Sequence, residues 1–177
     1  MTTVETDRLV LRPVSNQDLD ALAEVFAVPE VWWHPLQRGL ERAETESFVA
    51  KQEQHWAAHG YGLWTAVEDG RVLGFVGLSV PYFLPEVLPA TELGWRLHPD
   101  GWGRGLATEG GRAALDWAFG ELRIRRVISI TEPDNLGSRR VSERLGLQVE
   151  AETTHPERQI PLLVYAIDAY GEQSVRS

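Results

Sequence analysis

Cysteine is absent from all 177 residues. Its absence excludes disulfides, thiolate metal ligation and a cysteine nucleophile together, and it fits a reducing, cytoplasmic setting. Lysine is nearly absent: Lys51 stands alone, so 16 of the 17 cationic residues are arginines. A nucleotide loop that needs its own phosphate-binding lysine is therefore ruled out near any glycine cluster. No stretch approaches the roughly 18 consecutive apolar residues that cross a bilayer. The opening, Met1 to Asp7, has neither the basic start nor the apolar centre of a signal peptide, so neither a membrane partner nor an exported location is expected. Cations are also in the minority, 17 against 26 acids, for a net charge of −9. That sign opposes nucleic acid as a partner, because such binding rests on cations placed against phosphate.

What remains is an ordinary globular mixture, 43% hydrophobic and 24% charged, long enough for a substantial core. We expect one domain over residues 1–177, with a core from about 4 to 169 and a polar tail at 170–177. Arg8 to Pro13 alternates as a strand. Ser15 reads as an N-cap with Asp18 three positions on, and Leu19, Leu22, Ala23 and Phe26 follow at helical spacing. A loop through Trp32, Trp33, His34 and Pro35 leads to a helix from about Ala43 to Ala58, closed by Gly60. Two strands, Gly62 to Glu68 and Arg71 to Val80, flank Asp69-Gly70, the signal for a tight hairpin turn. Further strands are expected at Thr91 to Leu97, Arg126 to Thr131, Leu147 to Thr153 and Ile160 to Ile167. Helices are expected from Leu106 to Gly120 and Asn135 to Leu145. Alternation in the middle and hairpins at both ends describe an α/β (α+β) domain with a mixed sheet.

The most informative stretch is Glu92 to Glu109, where a strand runs through Gly101, Gly103 and Gly105 straight into a helix. Glycines allow close backbone approach and left-handed conformations. The helix start adds unpaired N–H groups and the positive end of the dipole, so an anion belongs there. A dinucleotide fingerprint fails because Leu106 occupies the third glycine position. Gly110-Gly111 inside the helix costs about 1 kcal/mol per glycine against alanine, which close packing on the sheet or on a ligand would explain.

Trp102-Gly-Arg-Gly-Leu-Ala107 resembles the pyrophosphate-binding signature of the GNAT superfamily of N-acetyltransferases, with Trp102 in the place of the usual arginine or glutamine. Thr6 to Pro13 and the pair Thr108-Glu109 resemble the branch that acetylates ribosomal-protein N-termini. Asn135 to Ser138, followed by Val141 to Leu147, matches a third family block. The resemblance spans roughly Val4 to Ala169. It implies a mostly antiparallel mixed sheet of about seven strands, split between the fourth (Thr91 to Leu97) and fifth (Arg126 to Thr131), with about four helices. It further implies acetyl-CoA as co-substrate, no metal, and an amine acceptor, either a small molecule or a peptide. Dimers are frequent in the family, so a homodimer is expected.

By the same resemblance, backbone groups of Gly103, Arg104, Gly105, Leu106, Ala107 and Thr108 would hold the pyrophosphate. The strand edge at Trp95, Arg96 and Leu97 would pair with pantetheine, and Asn135 and Ser138 would lie near the thioester. Transfer to an amine requires a proton to leave the ammonium and one to reach the departing thiolate. Glu92, on the fourth strand close to the split, is the expected base. The family's usual tyrosine acid is replaced by Ser142, leaving Ser138 or Ser142 as substitutes. Two alternatives stay open: an acyl-CoA-binding module without turnover, and transfer of a longer acyl group such as succinyl. His55 and His59, four apart on a helix, could ligate a metal but lack a third ligand. Residues 101–147 carry eight arginines against six acids, leaving −11 on the remainder, so the expected phosphate site is locally basic.

Overall fold

The computed structural model describes residues 2–169; the expected tail at 170–177 lies outside the described residues. Eight strands form one sheet. In chain order they are β1 (Val4–Glu5), β2 (Val10–Pro13), β3 (Leu63–Glu68), β4 (Arg71–Ser79), β5 (Thr91–Leu97), β6 (Arg126–Thr131), β7 (Gln148–Thr154) and β8 (Pro161–Asp168). The helices are α1 (Leu19–Phe26), α2 (Trp33–Leu36), α3 (Arg42–His59), α4 (Leu106–Gly120) and α5 (Leu136–Arg144). Spatial order is β1-β2-β3-β4-β5-β6-β8-β7. Every neighbouring pair is antiparallel except β5 with β6. The expected seven strands and four helices are all present. Two very short elements, β1 and α2, raise the counts, because two and four residues carry no readable periodicity. The strands expected as fourth and fifth are thus β5 and β6.

Alternation along the strands explains the layers. Trp64 and Val76 point to one face and pack with Leu106, Ala114, Leu115 and Ala118 of α4. Their neighbours Leu63 and Phe75 point to the other, onto Leu22 and Phe26 of α1 and Val49 of α3. At the end of the first layer the rings of Trp56, Trp64 and Trp117 meet with centroids 4.9 to 6.0 Å apart. Trp56 therefore belongs to the core and does not wall a site; its indole N–H is satisfied by the Leu63 carbonyl at 2.8 Å. The hairpin turn forms as expected, with Asp69 and Gly70 at φ 49° and 80°, the pattern of a type I′ turn.

One cap differs from expectation. Ser15 makes no side-chain capping bond, and Asp18 is buried instead of reaching back. Its carboxylate accepts from Arg12 Nη2 at 2.5 Å and from Thr65 Oγ1 at 2.8 Å, so it ties β2 and β3 to the start of α1. A capping box does exist at α3, between Glu41 and Glu44, where the carboxylate of an N-cap glutamate replaces the hydroxyl that the usual signature requires.

Glycine placement fixes how closely the layers approach. A Cβ on Gly110 would lie 3.2 Å from Val76 Cγ2, and one on Gly111 would lie 2.7 Å from Leu145 Cδ1. The two costly helix glycines therefore seat α4 on β4 and against the end of α5. Gly74 is more constrained still: its φ is +137°, and an added Cβ would lie 2.1 Å from the Arg96 carbonyl oxygen. Replacing Gly74 by alanine must push β4 off β5. We expect Gly74→Ala to cost at least about 2 kcal/mol from strain and overpacking together, read as a lowered denaturation midpoint at unchanged m-value.

Candidate active site

The site starts from a strand pair that stops pairing. β5 and β6 are in register only at Thr91 with Val127 and at Glu92 with Ile128. Beyond Glu92 the β6-facing edge of β5 has no strand partner, and unpaired backbone polar groups there demand a ligand or water. On β5, Leu93, Trp95 and Leu97 face α4, whereas Glu92, Gly94 and Arg96 face the other way. Beside that open edge lies a cavity of about 630 Å³. Trp95, Arg96 and Leu97 line it from β5, and Asn135, Ser138, Arg140 and Arg144 from α5 and its cap. Trp33 and His34 close it from the segment before α3.

The glycine turn opens into this same cavity. Gly103 and Gly105 take left-handed φ values of 70° and 81°, and both line the wall with Leu106, Ala107 and Thr108. The first intrahelical bond of α4 runs from the Glu109 N–H to the Gly105 carbonyl at 2.9 Å. The N–H groups of Leu106, Ala107 and Thr108 thus have no acceptor within the helix. Thr108 Oγ1 is also buried without a hydrogen-bond partner. Three free N–H donors and an orphaned hydroxyl at a helix start suit a phosphate group.

The side chain of Arg104 does not join them. It forms a two-pronged pair with Glu68, 2.7 Å on each arm, and it is absent from the cavity wall. Only its backbone is at the turn, and its carbonyl accepts from Arg8 Nη1 at 2.8 Å. The arginines that do line the cavity are Arg96 from β5 and Arg140 and Arg144 from α5. A clasp steadies the helix start: Glu109 accepts from Thr6 Oγ1 at 2.6 Å, Arg8 N–H at 2.8 Å and Arg8 Nε at 2.7 Å. Leu97 offers less strand edge than expected, because its carbonyl is taken by Trp102 Nε1 at 2.7 Å.

Glu92 lies at the vertex where the strands part. It is not among the residues lining the cavity. Its carboxylate accepts from the Ile130 N–H, left over where β6 turns away, and sits 3.5 Å from Ser79 Oγ. Burial pushes its pKa up to about 7, against the opposing pull of Arg96, Ser79 and Ile130. Arg96 is sunk in the same region. It stacks 4.1 Å from the Trp32 ring centroid and donates to the Val31 carbonyl at 2.9 Å. Burial lowers its pKa to about 10, while Glu92 and Glu132 raise it. Arg96 therefore joins β5 to the segment carrying Trp33 and His34.

Of the two serines, Ser138 faces the cavity and Ser142 does not. Ser142 is fully buried, its Oγ unpartnered. Asn135 caps α5 through its Oδ1, which accepts from the Ser138 N–H at 3.1 Å, and this leaves its amide nitrogen free for the cavity. Sequence reasoning missed the cluster opposite: His34 Nδ1 lies 3.1 Å from Glu132 Oε2 and 3.8 Å from Asp134 Oδ1. Ninety-eight residues separate His34 from Glu132, so no local pattern announces them. His55 and His59 stack with centroids 4.4 Å apart and gain no third ligand among the described residues. A larger hollow of about 830 Å³ lies at the paired end of β5 and β6, lined by Tyr61, Tyr82 and Arg126 among others. It lacks the glycine turn and helix start that the smaller cavity carries, so the smaller cavity is the candidate site.

Residues 8–148 match the family model described as an acetyltransferase (GNAT) domain. YkkB of Bacillus subtilis (strain 168) is 30% identical over 174 residues, covering 96% of this chain and 98% of that protein. The FsC-acetyl coenzyme A-N(2)-transacetylase of Aspergillus fumigatus is 30% identical over 158 residues, 82% of this chain and 64% of its own length. The crystal structure of a ribosomal-protein-S5-alanine acetyltransferase from Vibrio fischeri superposes with a TM-score of 0.77 at 17% identity, covering 98% and 100% of the two chains. At that identity the likeness speaks for the fold alone. No helix among the described residues is long and apolar enough to cross a membrane.

The raised carboxyl at the vertex has a thermodynamic signature. Folded Glu92 binds its proton up to about pH 7, whereas an unfolded glutamate releases it near 4.3. Between those values the native state holds more protons, so stability falls as pH rises. Glu92→Gln should flatten that slope and raise stability at pH 8 by on the order of 3 kcal/mol, read by urea denaturation at pH 5 and pH 8. An unchanged slope would show that Glu92 is ionised throughout.

Proposed function

The chain belongs to the GNAT acetyltransferase family, and on that premise we propose that it moves the acetyl group of acetyl-CoA onto a primary amine by direct attack on the thioester. The observation that carries this reading is the meeting, in one cavity, of an unpaired strand edge with a helix start whose N–H groups and Thr108 hydroxyl lack partners. The name of the Aspergillus fumigatus relative, a transacetylase acting from acetyl coenzyme A onto a nitrogen, supports the same donor and acceptor classes.

Each part of the donor has matching residues. Gly103 to Thr108 would hold the pyrophosphate by backbone N–H groups and the Thr108 hydroxyl, with Arg140 and Arg144 supplying the cationic side chains that Arg104 does not. The edge from Gly94 to Arg96 would pair with the pantetheine amides and donate to the thioester oxygen, where each fixed donor is worth about 3 kcal/mol of oxyanion stabilisation. Asn135 and Ser138 would flank the sulfur, and Ser138, facing the cavity, would deliver the proton to the thiolate in preference to Ser142. Glu92, absent from the cavity wall, would not take the amine's proton itself. The acceptor is a small-molecule or peptide amine. The proposal places the enzyme in the cytosol and includes a homodimer, for which the outer edge of β7 offers a strand face with no neighbour among the described residues.

Two measurements test this. Free thiol released from acetyl-CoA should appear with some members of a panel of amines and peptides; tight coenzyme A binding with no turnover on any acceptor would favour a binding module instead. Gly105→Asp should weaken coenzyme A in calorimetry at least about tenfold. It forces a side chain into a φ of +81° and sets a negative charge beside phosphate. Gly105→Ala, which shares the strain but not the charge, should lose less.

A further inference from the structure

We propose that His34, held through Nδ1 by Glu132, is the proton acceptor for the attacking amine; the assignment rests on the acetyl-transfer reading above. Pro35 explains how the imidazole comes to be displayed. The residue before a proline avoids the helical region, and His34 sits at φ −97°, ψ 116° inside the otherwise helical α2. That extended residue turns its ring out of the α2 turn onto the wall that also carries Trp95, Arg96, Asn135 and Ser138. An amine attacking a thioester held between β5 and Ser138 therefore shares that wall with His34. Glu92 is off that wall and already engaged by the Ile130 N–H.

The hydrogen-bond chemistry fixes which nitrogen is available. Glu132 Oε2 at 3.1 Å and Asp134 Oδ1 at 3.8 Å both stand at Nδ1. Carboxylates accept, so Nδ1 carries the proton and Nε2 keeps the lone pair. Glu132 is itself steadied by its charge interaction with half-buried Arg96. The other charged groups on the wall are Glu30 from the segment before α2 and Arg140 and Arg144 from α5. In the reaction, Nε2 takes one proton from the ammonium, and Glu132 balances the imidazolium that results. The amine lone pair then forms the C–N bond, the C–S bond breaks with its electrons on sulfur, and the second N–H proton reaches the thiolate through Ser138 or water. The proton on His34 leaves to solvent, so the cycle closes with one amide, one thiol and one proton.

The test has two arms. In the full-length protein labelled with nitrogen-15 histidine, the ring signals of His34, assigned by their loss in His34→Asn, should show the Nδ1–H tautomer above neutral pH. An Nε2–H tautomer would overturn the assignment whatever the enzyme turns over. With an amine that the wild type acetylates, His34→Asn should lower kcat about 100-fold or more, leave the KM for acetyl-CoA unchanged and abolish the acidic limb of the pH profile. Added imidazole should restore part of the rate. Glu92→Gln should keep the limb, and Glu132→Gln should lower kcat with His34 in place. Loss of the limb in Glu92→Gln and its survival in His34→Asn would refute His34 as the base. A wild type that acetylates no amine would refute the activity instead, and the tautomer measurement separates that outcome from a misassigned histidine.

Discussion

Two parallel strands that pair at only two positions set the conditions for everything else in this molecule. Antiparallel neighbours on either side keep β5 and β6 in the sheet, so their divergence past Glu92 opens a fixed gap without unravelling an edge. Buried backbone groups along that gap need partners, and the fold supplies them unevenly. At the vertex the Glu92 carboxylate satisfies the Ile130 N–H. Further out the edge is left open to the cavity. A carboxylate in that position is desolvated, which explains a titration far from that of an ordinary glutamate.

Charge is organised around the gap in a way that counting residues misses. The segment 101–147 is locally basic, with eight arginines, yet half of them are tied up in structural bonds. Arg104 pairs with Glu68, and Arg126 bonds Glu150 and Asp168. Arg112 donates to the carbonyls of Arg144 and Leu145, and Arg139 to Tyr165 and Pro133. Arg140 and Arg144 alone of these eight line the cavity. The anion cradle is thus built mainly from backbone, as a helix start permits, with cations at its rim. On the facing side Glu132 and Asp134 gather at one imidazole nitrogen, so the two ends of the cavity have opposite electrostatic character.

How much of this was legible in the sequence depended on distance along the chain. The glycine turn, the start of α4, the hairpin at Asp69-Gly70 and the helix glycines all follow from local rules about φ, caps and packing, and all stand where expected. Asp18 shows the limit: its spacing from Ser15 is that of a capping box, but Arg12 and Thr65 compete for the same carboxylate and hold it more strongly, because a charged pair outweighs a neutral cap. His34 with Glu132 shows the limit more sharply, since only the folded sheet brings a loop before α3 beside the end of β6. Arg104 belongs to the motif by sequence, and its direction is decided by Glu68, a residue on the opposite side of the turn. The opening Thr6 to Pro13 and the pair Thr108-Glu109 were visible only as separate marks of one branch; the structure gives their physical reason for occurring together.

That reason has a mechanical consequence. Glu109 binds Thr6 and Arg8 while Arg8 also holds the Arg104 carbonyl, so the first strands and the first turn of α4 open as one cooperative unit. The beginning of the chain, which in many proteins frays freely, is here a strut of the anion cradle. Trimming a few residues from that end would loosen the glycine turn some hundred residues away before it disturbed the rest of the sheet.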